Sequence, residues 1–222
     1  TPDIAIVDTD VPQSMDASLT ADTGMDAMTH AIEAYVATLH NPLTDCLAVK
    51  AAQMVYESLV DSYNGSAKGK ETMHWAQNIA GMSFSNAILG IVHSLAHKVG
   101  VTYKLPHGRC NAIMLPYVIQ YNRRACEDRF ATLARALGLP GNTDAQLTNS
   151  LVAAIQDLNK AVGIPASYKE AGVDEKLFKD TFDTLATAAV GDPCTLFNPR
   201  KTDVENMKKV LNCCYYGTPV NF

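Results

Sequence analysis

Apolar positions recur at helical spacing along almost the whole chain. The stretch from about Leu19 to Leu39 is rich in Ala, Met and Glu, and Asn41-Pro42 breaks it before a second expected helix from about Leu43 to Tyr63. Asn64-Gly65-Ser66 reads as a turn. Helices are then expected over about Glu71 to Ile88 and Leu89 to Val99, the latter closed by Gly100. Pro106-His107-Gly108 punctuates the chain ahead of a long helical region with a break near Asn122, ending at Gly138-Leu139-Pro140-Gly141. Thr143 and Gln146 form a capping box before the apolar stripe Leu147, Leu151, Ile155, Leu158 and Val162, which Gly163-Ile164-Pro165 stops. Asp174 to Ala188 and Thr202 to Tyr215 complete the set, the last opened by Thr202-x-x-Glu205. The one strand candidate is Ile4-Ala5-Ile6-Val7, bounded by Pro2 and Asp8. The expected fold is all-α: an extended lead-in over 1–18 and one helical domain over 19–222, without repeats or linkers.

Composition narrows what such a domain does. With 222 residues, 47% of them hydrophobic, the chain has enough apolar surface for a sizeable core. Only 18% of residues are charged, below the usual ~25%, which argues against disorder and coiled coil. Lys+Arg number 18 against Asp+Glu 23, so no basic surplus exists to neutralise phosphates, and nucleic-acid binding is excluded as the main task. No apolar run reaches the ~18 residues of a membrane span. The first twenty residues carry Asp3, Asp8, Asp10 and Asp16 and no basic residue, so no secretory signal is visible. The six cysteines are scattered without a C-x-x-C pair and read as reduced thiols of a cytoplasmic protein. No strand leads through a Gly-rich turn into a helix, so nothing cradles a dinucleotide pyrophosphate. The nearest imitation, Gly65-Ser66-Ala67-Lys68-Gly69-Lys70, has three residues between its glycines where a phosphate loop needs four, and Glu71 follows the lysine; it reads as a solvated turn.

Two pairs stand out among the titratable residues. Asp26 and His30 are four apart, as are His93 and His97, so each pair lies on one face of its helix. Both sit among apolar neighbours, where an ionisable group is costly unless paired or bound to a cation. His107 follows in a Pro-His-Gly turn that can swing a third imidazole inward. One carboxylate with two or three imidazoles is a ligand set for a divalent transition metal, with a coordination position left for substrate. Spacing alone does not separate His93 from His97 as the ligand. His40 and His74 lack such context and read as surface residues.

Around these residues the sequence resembles a family. Thr20-Ala21-Asp22-Thr23-Gly24-Met25-Asp26-Ala27-Met28-Thr29-His30-Ala31-Ile32-Glu33-Ala34-Tyr35 is similar to the first signature of the iron-dependent alcohol dehydrogenases. The run from Gly90 to Gly100 that holds His93 and His97, with Pro106-His107-Gly108-Arg109-Cys110-Asn111-Ala112, resembles the second. Gly163-Ile164-Pro165-Ala166-Ser167, Asn198-Pro199-Arg200 and Tyr215-Tyr216-Gly217 resemble the alcohol dehydrogenase half of bifunctional aldehyde–alcohol dehydrogenases.

The resemblance implies that Asp26, His30, His93 and His107 are the metal ligands and that His97 faces substrate and nicotinamide as a proton relay. It places Val11, in Asp8-Thr9-Asp10-Val11, against the cofactor; where the family usually has Pro after the methionine of this segment, this chain has Asp16 after Met15. It implies hydride transfer between a short-chain primary alcohol such as ethanol and NAD(H), with Fe(II), or Zn(II) as in the related glycerol dehydrogenases, polarising the substrate oxygen. Family members carry an N-terminal nucleotide-binding domain that holds most of the NAD site, and this chain is expected to start where that domain ends. They form homo-oligomers, dimers or, in the bifunctional enzymes, filaments. Two rival expectations stand beside this one: a non-catalytic metal-binding assembly domain, and a metal-dependent hydrolase with Glu33 or His97 as its general base.

Overall fold

Six helices begin on a side chain that accepts a bond from its own first turn, and those caps set the boundaries of the fold. Asp16 opens α1 (Ala17–Val36), Asn41 with Thr44 opens α2 (Pro42–Tyr63), and Ser66 opens α3 (Ala67–Ala87). Thr143 and Gln146 form the expected reciprocal box at α6 (Asp144–Ala161), while Asp174 and Asp203 open α7 (Glu175–Val190) and α8 (Val204–Tyr216). The two helices that carry the second group of histidines, α4 (Ile91–Tyr103) and α5 (His107–Ala136), start on Gly90 and Pro106 and have no cap of their own. The structure is a computed structural model that describes residues 3–222, and no strand occurs among the described residues.

Helix α1 is buried over almost its whole circumference, packed by α2, α3 and α5. Small residues make that possible. Ala21, Ala27, Ala31 and Ala34 of α1 face a surround that includes Ala48, Ala51, Ala52, Ala76 and Ala80, all buried, so the backbones approach closely. Helix α5 continues the core outward onto α4, α6 and α8, and α7 closes it against α4 and α8. Pro116 lies inside α5 and cannot donate to the carbonyl of Ala112 one turn earlier. The side chain of Asn159 on α6 supplies the missing donor, its Nδ2 lying 2.7 Å from that oxygen.

Several sequence expectations shift in the fold. Ile4 to Val7 is not a strand here: Ile4 and Ile6 are exposed, and no extended segment among the described residues pairs with it. The lead-in instead forms a 3-10 turn over Val11–Ser14, and α1 starts at Ala17 under its Asp16 cap. Helix α1 ends at Val36, before Leu39, because Thr38 N–H donates to the carbonyl of Phe197 (2.8 Å) rather than to its own helix.

The supposed solvated turn is largely helical. With Ser66 as cap, α3 runs through Lys68 and Lys70, and Gly69 lets the helix lie against the backbone of Ser62. Lys70 Nζ donates to the carbonyls of Gln13 and Met15, both at 2.7 Å, and so straps the lead-in to α3. The break in α5 falls at Cys126, whose φ of −151° departs from the helix, one turn beyond Asn122. Helix α8 is opened by Asp203 rather than Thr202, since the Asp203 carboxylate accepts from Asn206 N–H at 2.8 Å. All six cysteines are unpaired.

Candidate metal centre

One stripe of α1 carries Asp22, Asp26, His30 and Glu33, four polar residues on a helix that has almost no solvent-facing side. Each needs a partner from another element. Arg109 Nε meets Asp22 at 2.9 Å and Asn111 Nδ2 meets Asp26 Oδ1 at 2.6 Å, so α5 answers the first two. The start of α5 reaches them because residue 108 is glycine; a Cβ there would overlap the backbone carbonyl of Asp22. That approach brings His107 Nε2 to 3.5 Å from Asp26 Oδ1.

Helix α4 arrives from the other side. Ile88 takes a positive φ of 65°, and α3 and α4 meet at 109° across the Ile88–Gly90 break. The uncapped first turn of α4 then finds its acceptors on distant elements. Glu33 Oε1 accepts from Val92 N–H (2.7 Å), and Asn198 Oδ1 accepts from Ile91 N–H (3.3 Å). Gly90 leaves room for both, since a Cβ would lie 2.9 Å from Glu33 Oε1 and 2.7 Å from Asn198 Oδ1. Asn122 holds Asn198 through paired amide bonds of 2.8 and 3.0 Å.

The result is a convergence of donor atoms. One ligand atom each from Asp26, His93 and His107 lies within 4.8 Å of the others. His93 donates from Nδ1 to Glu33 Oε2 at 2.7 Å, which aims Nε2 into the cluster. His30 stands alongside, stacked between Phe84 and His93 at ring separations of 4.4 and 4.6 Å. Its Nδ1 is 3.8 Å from Asp26 Oδ2 and is buried without a hydrogen-bond partner. The amide nitrogen of Asn111 lies among the other three, 3.1 Å from His93 Nε2 and 3.0 Å from His107 Nε2, while its own Oδ1 is buried and unpartnered. A carboxylate oxygen and two ring nitrogens gathered at one point, beside an orphaned imidazole nitrogen, fit a divalent cation.

The electrostatics agree. Burial presses on every group here. On Asp26 burial is outweighed by the hydrogen bond from His93 and by the neighbouring imidazoles, and its carboxyl titrates at about 2. Burial drives His30 down to about 4 and also lowers His107, so both are neutral at pH 7 with lone pairs to offer. Against its own burial, His93 is raised to about 9 by the carboxylates of Asp26 and Glu33. Asp26 and Glu33 together favour a positive charge at this point, and a cation bound there would take the place of the proton on His93 Nε2.

His97 lies one turn beyond His93, outside this cluster. Its half-exposed ring stacks on His107 at 5.6 Å, and Nδ1 is 3.0 Å from Asp192 Oδ2. With Ala96, Gly100, Val101, Leu105 and His107 it lines an open recess of about 390 Å³. Val11 sits on the lead-in turn with its side chain largely exposed. His40 pairs with Asp45 at 3.2 Å and His74 is partly buried on α3, both away from the cluster. Glu33 is unavailable as a general base, since Val92 N–H, His93 N–H and the His93 ring occupy its two oxygens.

Four residues of the site escape the sequence reading as site residues: Asn111, Asp192, Asn198 and Glu33 as a partner of His93. Two left a local trace. Glu33 continues the Asp26–His30 face one turn on, and Asn111 follows His107 at the same four-residue spacing. Asn198 shows only as part of the Asn198-Pro199-Arg200 resemblance, with nothing to tie it to α4, and Asp192 left no trace; they lie 107 and 95 residues from the groups they bind.

The family model for the C-terminal region of the Fe-containing alcohol dehydrogenases matches residues 20–215. The NADPH-dependent butanol dehydrogenase of Clostridium saccharobutylicum is 50% identical over 222 residues, which is all of this chain and 57% of that protein. The bifunctional aldehyde-alcohol dehydrogenase of Escherichia coli K12 is 39% identical over 98% of this chain and 27% of its own length. Among solved structures, an iron-containing alcohol dehydrogenase from Thermococcus thioreducens superposes with a TM-score of 0.90 at 32% identity, covering 98% of this chain and 56% of that one. A 1,3-propanediol oxidoreductase gives 0.88 at 36%, covering 94% and 55%. The chain thus spans little more than half the length of these single-activity relatives.

Proposed function

The chain belongs to the iron-containing alcohol dehydrogenase family, and on that premise we propose that it is the metal-binding part of a nicotinamide-dependent dehydrogenase interconverting a short-chain primary alcohol and its aldehyde. The observation that carries the reading is the convergence of Asp26, His93 and His107 with the unpartnered Nδ1 of His30 beside them. These four residues would hold a divalent ion, Fe(II) or Zn(II). When bound, the ion supplies Lewis-acid polarisation of the substrate oxygen.

The chain's own residues do the rest on this side of the cleft. Glu33 and Asn111 orient the ligands, and Gly108 and Gly90 let α5 and α4 reach α1. His97, in the open recess beside His107, exchanges a proton with the substrate hydroxyl. Val11, exposed on the lead-in turn, packs against the nicotinamide of NAD(H). Most of the dinucleotide contact comes from outside this part of the protein, since the described residues hold no strand–glycine turn–helix unit. The protein acts as a homo-oligomer.

The test is a nicotinamide-linked assay with butanal and acetaldehyde on the full-length protein, alongside metal analysis. Aldehyde-dependent NADH or NADPH oxidation is expected, with loss of both bound metal and turnover in His93→Ala and His107→Ala. One equivalent of metal retained in either variant overturns the ligand assignment. Metal retention without any turnover favours the assembly reading instead.

A further inference from the structure

We propose that Asp192 is a positioning residue that fixes the tautomer of His97, so that Nε2 offers its lone pair to the recess; the role rests on the dehydrogenase reading above. The two residues lie 95 positions apart and meet through a frame built for the purpose. The loop after α7 turns at Gly191, and Asp192 N–H donates to the carbonyl of Ala189 (3.1 Å). Asp192 Oδ1 then accepts from Cys194 N–H at 3.1 Å and caps the 3-10 turn Pro193–Phe197. Thr195 Oγ1 binds Ser94 Oγ at 2.8 Å and the carbonyl of Ala189 at 2.7 Å, which docks this turn on α4 one helical turn before His97. The Asp192 side chain is only 5% exposed, whereas the ring it holds is 40% exposed.

The second oxygen of Asp192 does the orienting. Oδ2 lies 3.0 Å from His97 Nδ1 and 3.1 Å from Lys98 Nζ. A carboxylate only accepts, so Nδ1 must carry the hydrogen and Nε2 is left as the acceptor. Lys98 matters because it already balances the charge of Asp192, so the carboxylate can fix the ring without requiring it to be protonated. In alcohol oxidation the hydroxyl proton passes to this Nε2 while the hydride leaves with the nicotinamide; aldehyde reduction runs the same two transfers backward. A His97 with its hydrogen on Nε2 has no lone pair facing the recess and cannot take that proton.

The experiment is long-range proton–nitrogen correlation spectroscopy of the imidazoles in the full-length protein, loaded with diamagnetic zinc and held in alkaline buffer. The His97 signals are identified by their loss in His97→Gln. The wild-type ring is expected with its hydrogen on Nδ1, and Asp192→Asn is expected to move it toward Nε2. Asp192→Ser, which keeps an oxygen for Cys194 N–H, is expected to do the same, and Lys98→Met to leave the tautomer in place. In the loaded enzyme both Asp192 variants should lose about 10²-fold or more in kcat, with KM for the alcohol and zinc content unchanged. A wild-type ring protonated on Nε2 overturns the proposal even if neither variant folds. An unchanged tautomer in a folded Asp192 variant also overturns it, as does a loss confined to KM or zinc. A wild type without nicotinamide-linked turnover would instead sink the dehydrogenase reading, and the tautomer would still decide whether Asp192 orients His97.

Discussion

The backbone carbonyl of Asp22 fills the space in which a side chain at Gly108 would begin. Helices α1 and α5 cross there at backbone distance, four residues ahead of Asp26 on one helix and one residue after His107 on the other. Gly108→Ala must therefore push the start of α5 outward. The expected cost is about 3 kcal/mol, at the upper end for overpacking, because backbone rather than a flexible side chain has to yield. Denaturant unfolding measures that cost, and metal analysis should show His107 withdrawn from the centre. A variant with wild-type midpoint and metal content contradicts the crossing.

Glu33→Gln separates two tasks of one carboxylate. Glutamine keeps an oxygen for Val92 N–H, so α4 should still form and the circular dichroism should not change. It lacks the charge that holds the hydrogen on His93 Nδ1. Zinc affinity by calorimetry should fall about 10- to 100-fold, the usual effect of losing a metal ligand's orienting partner.

Asn159 and Pro116 should be coupled. Asn159→Ala leaves the carbonyl of Ala112 buried without a donor, at an expected cost of about 1–3 kcal/mol. In a Pro116→Ala background the helix can supply its own N–H, and the same truncation should cost markedly less. A double-mutant cycle on denaturation midpoints reads the difference. Simple additivity would mean that the side chain is not repairing the proline.

Thiol chemistry should be confined to one site. Cys46 is exposed at the start of α2, while Cys110, Cys126, Cys213 and Cys214 are buried. Burial pushes the thiols of Cys110, Cys126 and Cys194 up to about 12. Cys194, although only partly covered, should therefore remain protonated and slow even in mildly alkaline buffer, since the thiolate is the reactive form. Of the six thiols in these 222 residues, Ellman's reagent should find one fast in the native protein and all six reactive after denaturation. Cys46→Ser should remove the fast phase.

The all-α class and the order of helices were legible because caps and apolar stripes are local signals. Thr143 with Gln146, and the stripe from Leu147 to Val162, mark α6 almost to the residue. Signals failed where a distant element decided the outcome. Ile4 to Val7 looks like a strand only until one asks what would pair with it. Lys70 looks solvated because its partners, the carbonyls of Gln13 and Met15, have no side-chain signature. The site divides the same way. Asp26, His30, His93, His97 and His107 are visible in pairs and turns, and their rough proximity follows from the motifs. What orients them is not: Asp192 looks like an ordinary loop residue, and the Asn198-Pro199-Arg200 run gives no hint that Asn198 reaches α4 across 107 residues.

Glu33 ties the centre to the mechanical integrity of the domain. Its carboxylate is at once the cap of α4 and the hook that holds the His93 ring. A cation held at His93 Nε2 would tighten the same joint that docks α4 on α1, and its removal would slacken that joint. Occupancy and folding would then be one linked equilibrium, in which ion at a hundred times its dissociation constant adds about 2.7 kcal/mol to the native state. The melting temperature would then serve as a gauge of metal loading.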